Sequence, residues 1–438
     1  MADGEILAGW LLVASVGLLV YAYGIYPGCL WVLSRLIPSA GGGPGGPRPA
    51  WPDVSIVLSA YNEEHVIGDR VRNFLELDYP VEHLEILVGS DGSTDRTCEV
   101  IAGCAAPGVR LIAFEPRRGK ASVLNDLVAQ ARGEIIVCTD ANTFFLPDAV
   151  RKLVDALWRY PSACAVVGRL ELRSSVAAGN LDGPYWRYET WMKTLESHFG
   201  CVLGANGAIY AFRRKRYQPL PTRAIVDDFL IPMLMRVRSG GGVFFVPEAR
   251  AWETSPQQVR DEFRRRARIG AGDLQALLWT WQLLLPWKGM VALTYFSHKV
   301  LRWFGPWLLL IAFGANLWLL GTPFFRWLFI GQLAFYGLGL GAGFVRVLAL
   351  VASAVRYFLA LNTGLLLGFA RGALGLARPL WNTTPRTGEV PSPGLLLAVA
   401  RAGRPGGPAA SREPRDRRDV RVGDARVEAE DPAHRRTA

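Results

Sequence analysis

Residues 6 to 26 form an almost unbroken apolar run. As an α-helix rising 1.5 Å per residue, that run reaches about 31 Å, the thickness of a bilayer core. A cleaved secretory signal would carry a basic start and a small-residue cleavage site. Here Asp3 and Glu5 precede the run and Tyr21, Tyr23 and Tyr26 close it, so it reads as a retained transmembrane helix. Arg35 and Arg48 follow, and the positive-inside rule then puts the N-terminus outside and the next domain in the cytosol. Half of the 438 residues are apolar and only a fifth are charged, which excludes a wholly disordered chain.

The texture divides the rest. Residues 1–38 are the N-terminal membrane segment and 39–51 a flexible Gly/Pro linker. From 52 to 275, short β-rich runs alternate with helical patterns. Strands are expected at Val54 to Leu58, Leu84 to Gly89, Val109 to Phe114, Glu134 to Thr139, Ala163 to Leu170 and Ala208 to Phe212, with helices such as Glu64 to Leu77 and Lys120 to Ala131 between them. That alternation builds an α/β sheet covered by helices, with ligands at the carboxyl ends of the strands. Residues 276–304, with His298, Lys299 and Arg302 among aromatics, suit amphipathic interfacial helices. A membrane region over 305–370 then holds spans at 305–321 and 325–345. Gly337, Gly339, Gly341 and Gly343 are spaced for close helix packing. Arg356 and Asn362 interrupt 347–370, which fits a re-entrant or tilted helix as well as a third span. Arginines at 371, 378, 386, 401 and 404 argue for a cytosolic C-terminus and favour re-entry. Residues 371–400 read as a membrane-proximal cytosolic segment, and the mixed-charge 401–438 as a disordered tail.

Net charge is +11, which suits an anionic membrane surface or a phosphorylated substrate. No nucleic-acid-binding signature is present. The six cysteines are scattered, without metal-ligand spacing, and read as reduced thiols.

The polar signatures fall at expected strand ends. VSIVLSAYNEE (54–64) runs into a turn where Tyr61 can stack on a flat ring and Glu63 can accept hydrogen bonds. LVGSDGSTDRT (87–97) ends in an acidic turn. Asp91 there can receive a base N–H or a ribose hydroxyl; an Asx-turn with Asp95 capping the next helix is the plainer reading. EPRRGKASVLND (115–126) lacks the first glycine of a P-loop, so an ATPase is excluded. Lys120 and Asn125 remain as donor contacts or an ordinary helix start. EIIVCTDANTF (134–144) delivers Asp140 and Asn142, two oxygen ligands at i and i+2, for a divalent cation on a diphosphate. GANGAIYAFRR (204–214) supplies Asn206 in a turn beneath an acceptor. AIVDDFLIPMLM (224–235) sets Asp227 and Asp228 at a helix start, where capping explains one carboxylate and a general base the other. FRRRARIGAGDLQAL (263–277) presents Arg268 as a diphosphate clamp or part of a basic lipid collar.

In this order the motifs resemble those of the family 2, inverting, membrane-embedded glycosyltransferases, the group of hyaluronan, poly-N-acetylglucosamine, chitin and cellulose synthases. The resemblance covers residues 52–275, and 288–388 more loosely. It implies a GT-A (Rossmann-like) cytosolic domain between transmembrane helices, in a bacterial inner (plasma) membrane. It also implies a UDP-sugar donor, Mg²⁺ or Mn²⁺, and a saccharide or lipid-linked acceptor. Tyr61, Glu63 and Asp91 would hold uridine, with Lys120 also on the donor, and Asp140 with Asn142 the metal diphosphate. Asp228 would be the base, Arg268 the clamp, and Asn206, Asp227 and Ile269 the acceptor side. Three positions depart from the family pattern: Asn142 replaces the second Asp of DxD, Arg265 replaces Gln, and Ile269 replaces the Trp that stacks under the acceptor sugar. Rival readings are a transferase adding one sugar to a lipid-linked acceptor, and a catalytically silent nucleotide sensor.

Overall fold

The computed structural model describes residues 3–41, 50–104, 106–173, 182–205, 207–254, 259–340 and 349–377. Asn206, the middle of the linker, most of 371–400 and the whole 401–438 tail lie outside the described residues.

Eight strands form one sheet: β1 (Val54–Ala60), β2 (Leu84–Asp91), β3 (Val109–Phe114), β4 (Ile135–Thr139), β5 (Phe144–Phe145), β6 (Ala165–Arg173), β7 (Tyr210–Arg213) and β8 (Val243–Thr254). Their order is β3-β2-β1-β4-β7-β6-β8-β5. The first half, β3-β2-β1-β4, is parallel. β7 then runs antiparallel to both β4 and β6, β8 pairs parallel to β6, and β5 closes the edge antiparallel to β8. This is the helix-covered α/β sheet that the strand–helix alternation leads one to expect and the Rossmann-like fold that the resemblance implies; the antiparallel β7 and β5 that make it mixed are findings of the structure.

β1 is buried along its whole length, so its side chains divide by the period of two between two apolar layers. Ile56 and Leu58 enter one core with Phe74 of helix Ile67–Leu75 and Leu153 of helix Ala149–Arg159. Val57 enters the other with Leu124 of helix Lys120–Gln130 and Leu230 of helix Asp227–Ser239. Each such fully buried aliphatic side chain contributes about 1.5–3 kcal/mol. The second core continues through Ala271, Tyr295, Trp303 and Phe369. The sheet and the helices of the C-terminal region therefore share one apolar layer.

Two strands escaped the sequence reading. β5 has only two residues, too short for a periodic signal. β8 reads VFFVPEARAWET, in which Pro247 and the charges of Glu248 and Arg250 break the alternation. The structure absorbs them by a shift of register: Gly168 faces Val246 but Arg169 faces Arg250, so residues 247–249 stand outside the ladder. A proline in an interior strand is tolerated at such a bulge.

The N-terminal helix runs Asp3–Leu36, 34 residues with a π-turn at Tyr21–Ile25. It and Val351–Ala373 are the two described helices long and apolar enough to cross a membrane. The span expected at 305–321 is a 14-residue helix, Gly305–Trp318, which at about 21 Å is too short to cross alone. It meets Met290–Trp303 at 59°. The expected span at 325–345 is a helix over Pro323–Leu340, with 341–348 outside the described residues. The stretch 347–370, for which re-entry was favoured, is one unbroken helix, Ala349–Ala373.

Of the glycines that the spacing singled out, Gly339 packs closely against helix Ala349–Ala373, where a Cβ on it would lie 2.7 Å from Leu359 Cδ1; Gly341 and Gly343 lie outside the described residues, and further close packing uses Gly364 and Gly368. A Cβ on Gly368 would lie 2.4 Å from the Ala267 carbonyl oxygen, and one on Gly364 would lie 3.0 Å from Arg266 Cβ. One on Gly337 would meet nothing within 4 Å. Gly364 and Gly368, one turn apart, thus seat helix Ala349–Ala373 against helix Val259–Thr280, the small-residue contact that lets two backbones approach.

Candidate active site

The turns after β1 and β2 are zipped together. Asn62, at φ 52°, donates its amide to Ser93 Oγ at 3.2 Å and accepts the Thr94 amide at 2.8 Å. The Glu63 amide donates to the Thr97 hydroxyl at 2.8 Å and the Glu64 amide to Asp95 at 3.1 Å. Asp95 Oδ1 also accepts the Thr97 amide at 3.0 Å, the Asx-turn read from sequence; the N-cap of helix Thr97–Gly103 is Arg96, without a side-chain cap bond. Burial alone would raise the Asp95 pKa, but the hydrogen bonds from Thr97 and the Glu64 amide outweigh it and lower it.

Over these turns lies the segment before helix Lys120–Gln130. The Arg117 guanidinium carbon sits 3.4 Å from the Tyr61 ring centroid, a cation–π contact on the ring expected to stack a base. Asp91 is wholly buried at the end of β2. Its carboxylate accepts the Arg118 amide at 2.7 Å and the Gly119 amide at 2.9 Å, so it holds this segment down. Asn125 is not at the donor side: its amide group donates to the Leu220 carbonyl at 2.9 Å and accepts from Tyr217 at 2.7 Å and the Leu220 amide at 2.8 Å. Three of its four hydrogen-bonding positions are thus used on the 217–220 connection, which no local pattern reveals.

At the carboxyl end of β4, three aspartates converge. Asp140 begins the turn that carries Asn142, and Asp227 and Asp228 open helix Asp227–Ser239. Lys120 Nζ bridges Asp140 Oδ1 at 2.8 Å and Asp227 Oδ2 at 2.9 Å. Burial alone would lower the Lys120 pKa; the two carboxylates overcome that and raise it, keeping the ammonium charged. Burial, reinforced by Asp227, pushes the Asp228 carboxyl up to about 6. Its Oδ1 accepts the Phe229 amide at 2.9 Å, and the helix N-terminus favours the negative pair. Gly207, at φ +76°, floors the cluster. A Cβ there would lie 3.0 Å from Asp140 Oδ2 and 3.4 Å from Asp228 Oδ2. Among the described residues no group of three His, Cys, Asp or Glu side chains could hold a metal by themselves.

Arg268 and Ile269 lie on helix Val259–Thr280. Arg268 Nη1 donates to the Ile225 carbonyl at 3.3 Å, just before the aspartate pair, and Asp227, Asp228 and Asp140 act on it electrostatically. Ile269 packs against the second core and lines a cavity behind the helix. Of the residues predicted from sequence, Lys120, Asp140, Asp227, Asp228 and Arg268 thus come together. Tyr61, Glu63 and Asp91 lie at the neighbouring ends of β1 and β2, with Asp91 buried beneath the 118–119 segment. Sequence reasoning missed Gly207, although the Gly-Ala-Asn-Gly turn that contains it had been read as an acceptor floor.

Residues 55–217 match the family model for Glycosyl transferase family 2. The chain is 26% identical over 231 residues to a poly-beta-1,6-N-acetyl-D-glucosamine synthase of Staphylococcus epidermidis, covering 51% of this chain and 55% of the relative. The corresponding protein of Staphylococcus aureus (strain COL) matches at the same identity and coverage. The chain therefore spans about half the length of the curated relatives it matches. Among solved structures, the mannosyltransferase PcManGT from Pyrobaculum calidifontis, in complex with GDP-Man and Mn²⁺, superposes with a TM-score of 0.62 at 22% identity, over 83% of this chain and 99% of that one. That superposition supports a common fold. Residues 55–217 are thus a glycosyl transferase family 2 domain on a mixed GT-A sheet, and the chain is similar to the poly-beta-1,6-N-acetyl-D-glucosamine synthases.

Proposed function

We propose that this chain is a membrane-associated, inverting hexosyltransferase that moves a sugar from a UDP-sugar to a saccharide acceptor, giving a β-linked product for cell-surface or exopolysaccharide. The observation that carries the reading is the Asp140, Asp227 and Asp228 cluster around Lys120, with Asp228 raised to about 6. A carboxylate with a pKa just below neutrality is ionised at working pH yet basic enough to accept a proton in the transition state. Asp228 takes the proton from the acceptor hydroxyl as that oxygen attacks the anomeric carbon in line with departing UDP. Direct displacement at that carbon inverts it, so an α-linked donor gives a β-linked product.

Asp91 serves the donor by fixing residues 117–119, and Tyr61 and Glu63 by walling the nucleoside side. Arg268 clamps the diphosphate, where a planar guanidinium is suited to paired phosphate oxygens. The oxygens of Asp140 and Asn142, beside the partly buried Lys120 ammonium, fit Mg²⁺ or Mn²⁺ as a hard-ligand site completed by phosphate and water. When bound there, the cation would neutralise charge on the leaving diphosphate. Asn142 is a neutral ligand, so metal affinity should be modest. The solved mannosyltransferase that shares the fold is in complex with GDP-Man and Mn²⁺, which supports a divalent ion without choosing between the two. The positive-inside arrangement of Arg35 and Arg48 supports a cytosolic catalytic domain at a bacterial inner membrane.

Incubating purified protein in lipid with a panel of nucleotide sugars, measuring released UDP and reading the new linkage by NMR, tests the proposal. Turnover with none of the donors, or an α-linked product from an α-linked donor, would end it. A second reading, addition of one sugar to a lipid-linked acceptor, is favoured by Ile269, which offers no flat ring for a polymer's terminal sugar. Size analysis of radiolabelled product separates the two: long polymer without intermediates at low enzyme means processive synthesis.

A further inference from the structure

Arg70, on helix Ile67–Leu75, is wholly buried, yet it makes no ion pair with a carboxylate among the described residues. Its guanidinium carbon lies 3.9 Å from the Phe74 ring centroid and 4.4 Å from that of Phe145. A Met or Leu side chain could fill that space at a far smaller desolvation cost, so packing alone gives no reason for a guanidinium here. Its planar fork of donors does. Nη1 donates to Asn73 Oδ1, and Nη2 donates to the Thr139 hydroxyl at 3.0 Å. Thr139 in turn donates to the Ala208 carbonyl at 2.8 Å. Asn73, one turn along the same helix face, holds both backbone groups of Phe145. Its Nδ2 donates to the Phe145 carbonyl at 3.0 Å, and its Oδ1 accepts the Phe145 amide at 2.8 Å.

These contacts fall at the two ends of one turn. Thr139 is the last residue of β4 and Phe145 the last of β5, and the residues between the two strands include Asp140 and Asn142. β5 has two residues at the edge of the sheet, where it pairs with β8. So short a ladder holds the far end of the turn weakly, and Asn73 supplies the missing bonds on its open side. Ala208 adjoins Gly207, the floor of the aspartate cluster, so the hydrogen bonds that start at Arg70 also reach the floor. We propose that Arg70 and Asn73 are positioning residues: from one helix face they clamp the turn at both ends and thereby set the separation of the Asp140 and Asn142 oxygens before a cation arrives. They act through Thr139 and Phe145 and touch neither cation nor donor. The assignment rests on the reading of Asp140 and Asn142 as the cation side of the donor site, and it adds the residues that shape that side. Charge alone would work the other way. The Arg70 guanidinium and Asp140 interact electrostatically, and a fixed cation behind Asp140 opposes a second one in front of it.

The test uses the full chain in lipid nanodiscs, with UDP and Mn²⁺ as probes. Calorimetry measures UDP affinity with and without Mn²⁺, electron paramagnetic resonance measures Mn²⁺ bound in the presence of UDP, and thermal melting reports the fold. Wild type is compared with Arg70→Met, Asn73→Ala, Thr139→Val and Thr139→Ser. Removing a group that orients a metal ligand typically costs about 10 to 100-fold in metal affinity. Arg70→Met, Asn73→Ala and Thr139→Val should each weaken Mn²⁺ binding by that factor and leave metal-free UDP binding unchanged. Thr139→Ser keeps the hydroxyl and should retain wild-type Mn²⁺ affinity. Thr139→Val is close to isosteric, so the test stands even where Arg70→Met does not fold. Lower melting temperatures with unchanged Mn²⁺ affinity would make the cluster ordinary core and overturn the proposal. So would tighter Mn²⁺ binding by Arg70→Met, the result of removing a charge where there is no clamp. Wild type that binds UDP equally with and without Mn²⁺ would end the cation reading of Asp140 and Asn142 together with the clamp, whereas Mn²⁺-dependent binding that survives all the variants would end the clamp alone.

Discussion

Asp228→Asn preserves side-chain size and the bond from the Phe229 amide to Oδ1 at 2.9 Å, while removing a charge that its surroundings oppose. Burial and Asp227 move this carboxyl from an ordinary 3.8 to about 6. At 1.36 kcal/mol per unit, holding it ionised costs the fold about 3 kcal/mol. The sign follows from proton binding: the folded chain holds this proton more tightly than the unfolded one. The cost is therefore absent below about pH 4, grows from 4 to 6, and is complete above 6. The asparagine variant should be more stable than wild type by up to about 3 kcal/mol at pH 8, with the gain shrinking as pH falls toward 4. Transfer should drop by about 10² to 10⁴-fold, the usual contribution of a general base, while UDP still binds. Wild-type kcat should fall as pH drops through 6. Denaturation midpoints at several pH values, alongside coupled UDP release and calorimetry, measure all three. Equal midpoints at pH 8 would refute the burial argument, and a rate loss under tenfold would refute the base.

Lys120→Met leaves Asp140 and Asp227 without the cation that bridges them. It should destabilise the chain by about 1.5–3 kcal/mol, the worth of hydrogen bonds to charged groups, with part recovered on adding Mn²⁺; unchanged melting in metal-free buffer contradicts the bridge. Gly207→Ala should cost about 1–2 kcal/mol for its left-handed backbone. Because its Cβ would crowd Asp140 and Asp228, it should also lower transfer at least tenfold, and near-normal kcat would show that the floor is not confining. Excess EDTA should abolish turnover and either Mg²⁺ or Mn²⁺ should restore it, whereas full activity in EDTA would remove the metal from the diphosphate site.

The local signals were legible because they need only neighbours in the chain. VSIVLSA and LEILV are short, mostly apolar and β-branched runs that favour buried strands, and each leads into a polar turn at the strand's carboxyl end. The 34-residue apolar helix at the N-terminus likewise follows from composition and length. The cluster of Asp140, Asp227, Asp228 and Arg268 was approached through motif order rather than spacing, and only the tertiary fold makes it a site by bringing three distant segments together. What depended on tertiary packing could not be read locally. β8 carries Pro247 and is a strand because a bulge against β6 excuses it. Asn125 looks like a donor contact until Tyr217 and Leu220 take its amide. Helix Ala349–Ala373 has Arg356 and Asn362 as apparent interruptions. It stays unbroken because Gly364 and Gly368 seat it on helix Val259–Thr280 and Asn362 donates back to the Phe358 carbonyl at 2.8 Å. Asp273, four residues past Ile269, is an ordinary acidic residue in the sequence. It becomes a buried carboxyl only when the surrounding helices close on it, since burial is a property of the assembled fold and not of a residue's neighbours in the chain.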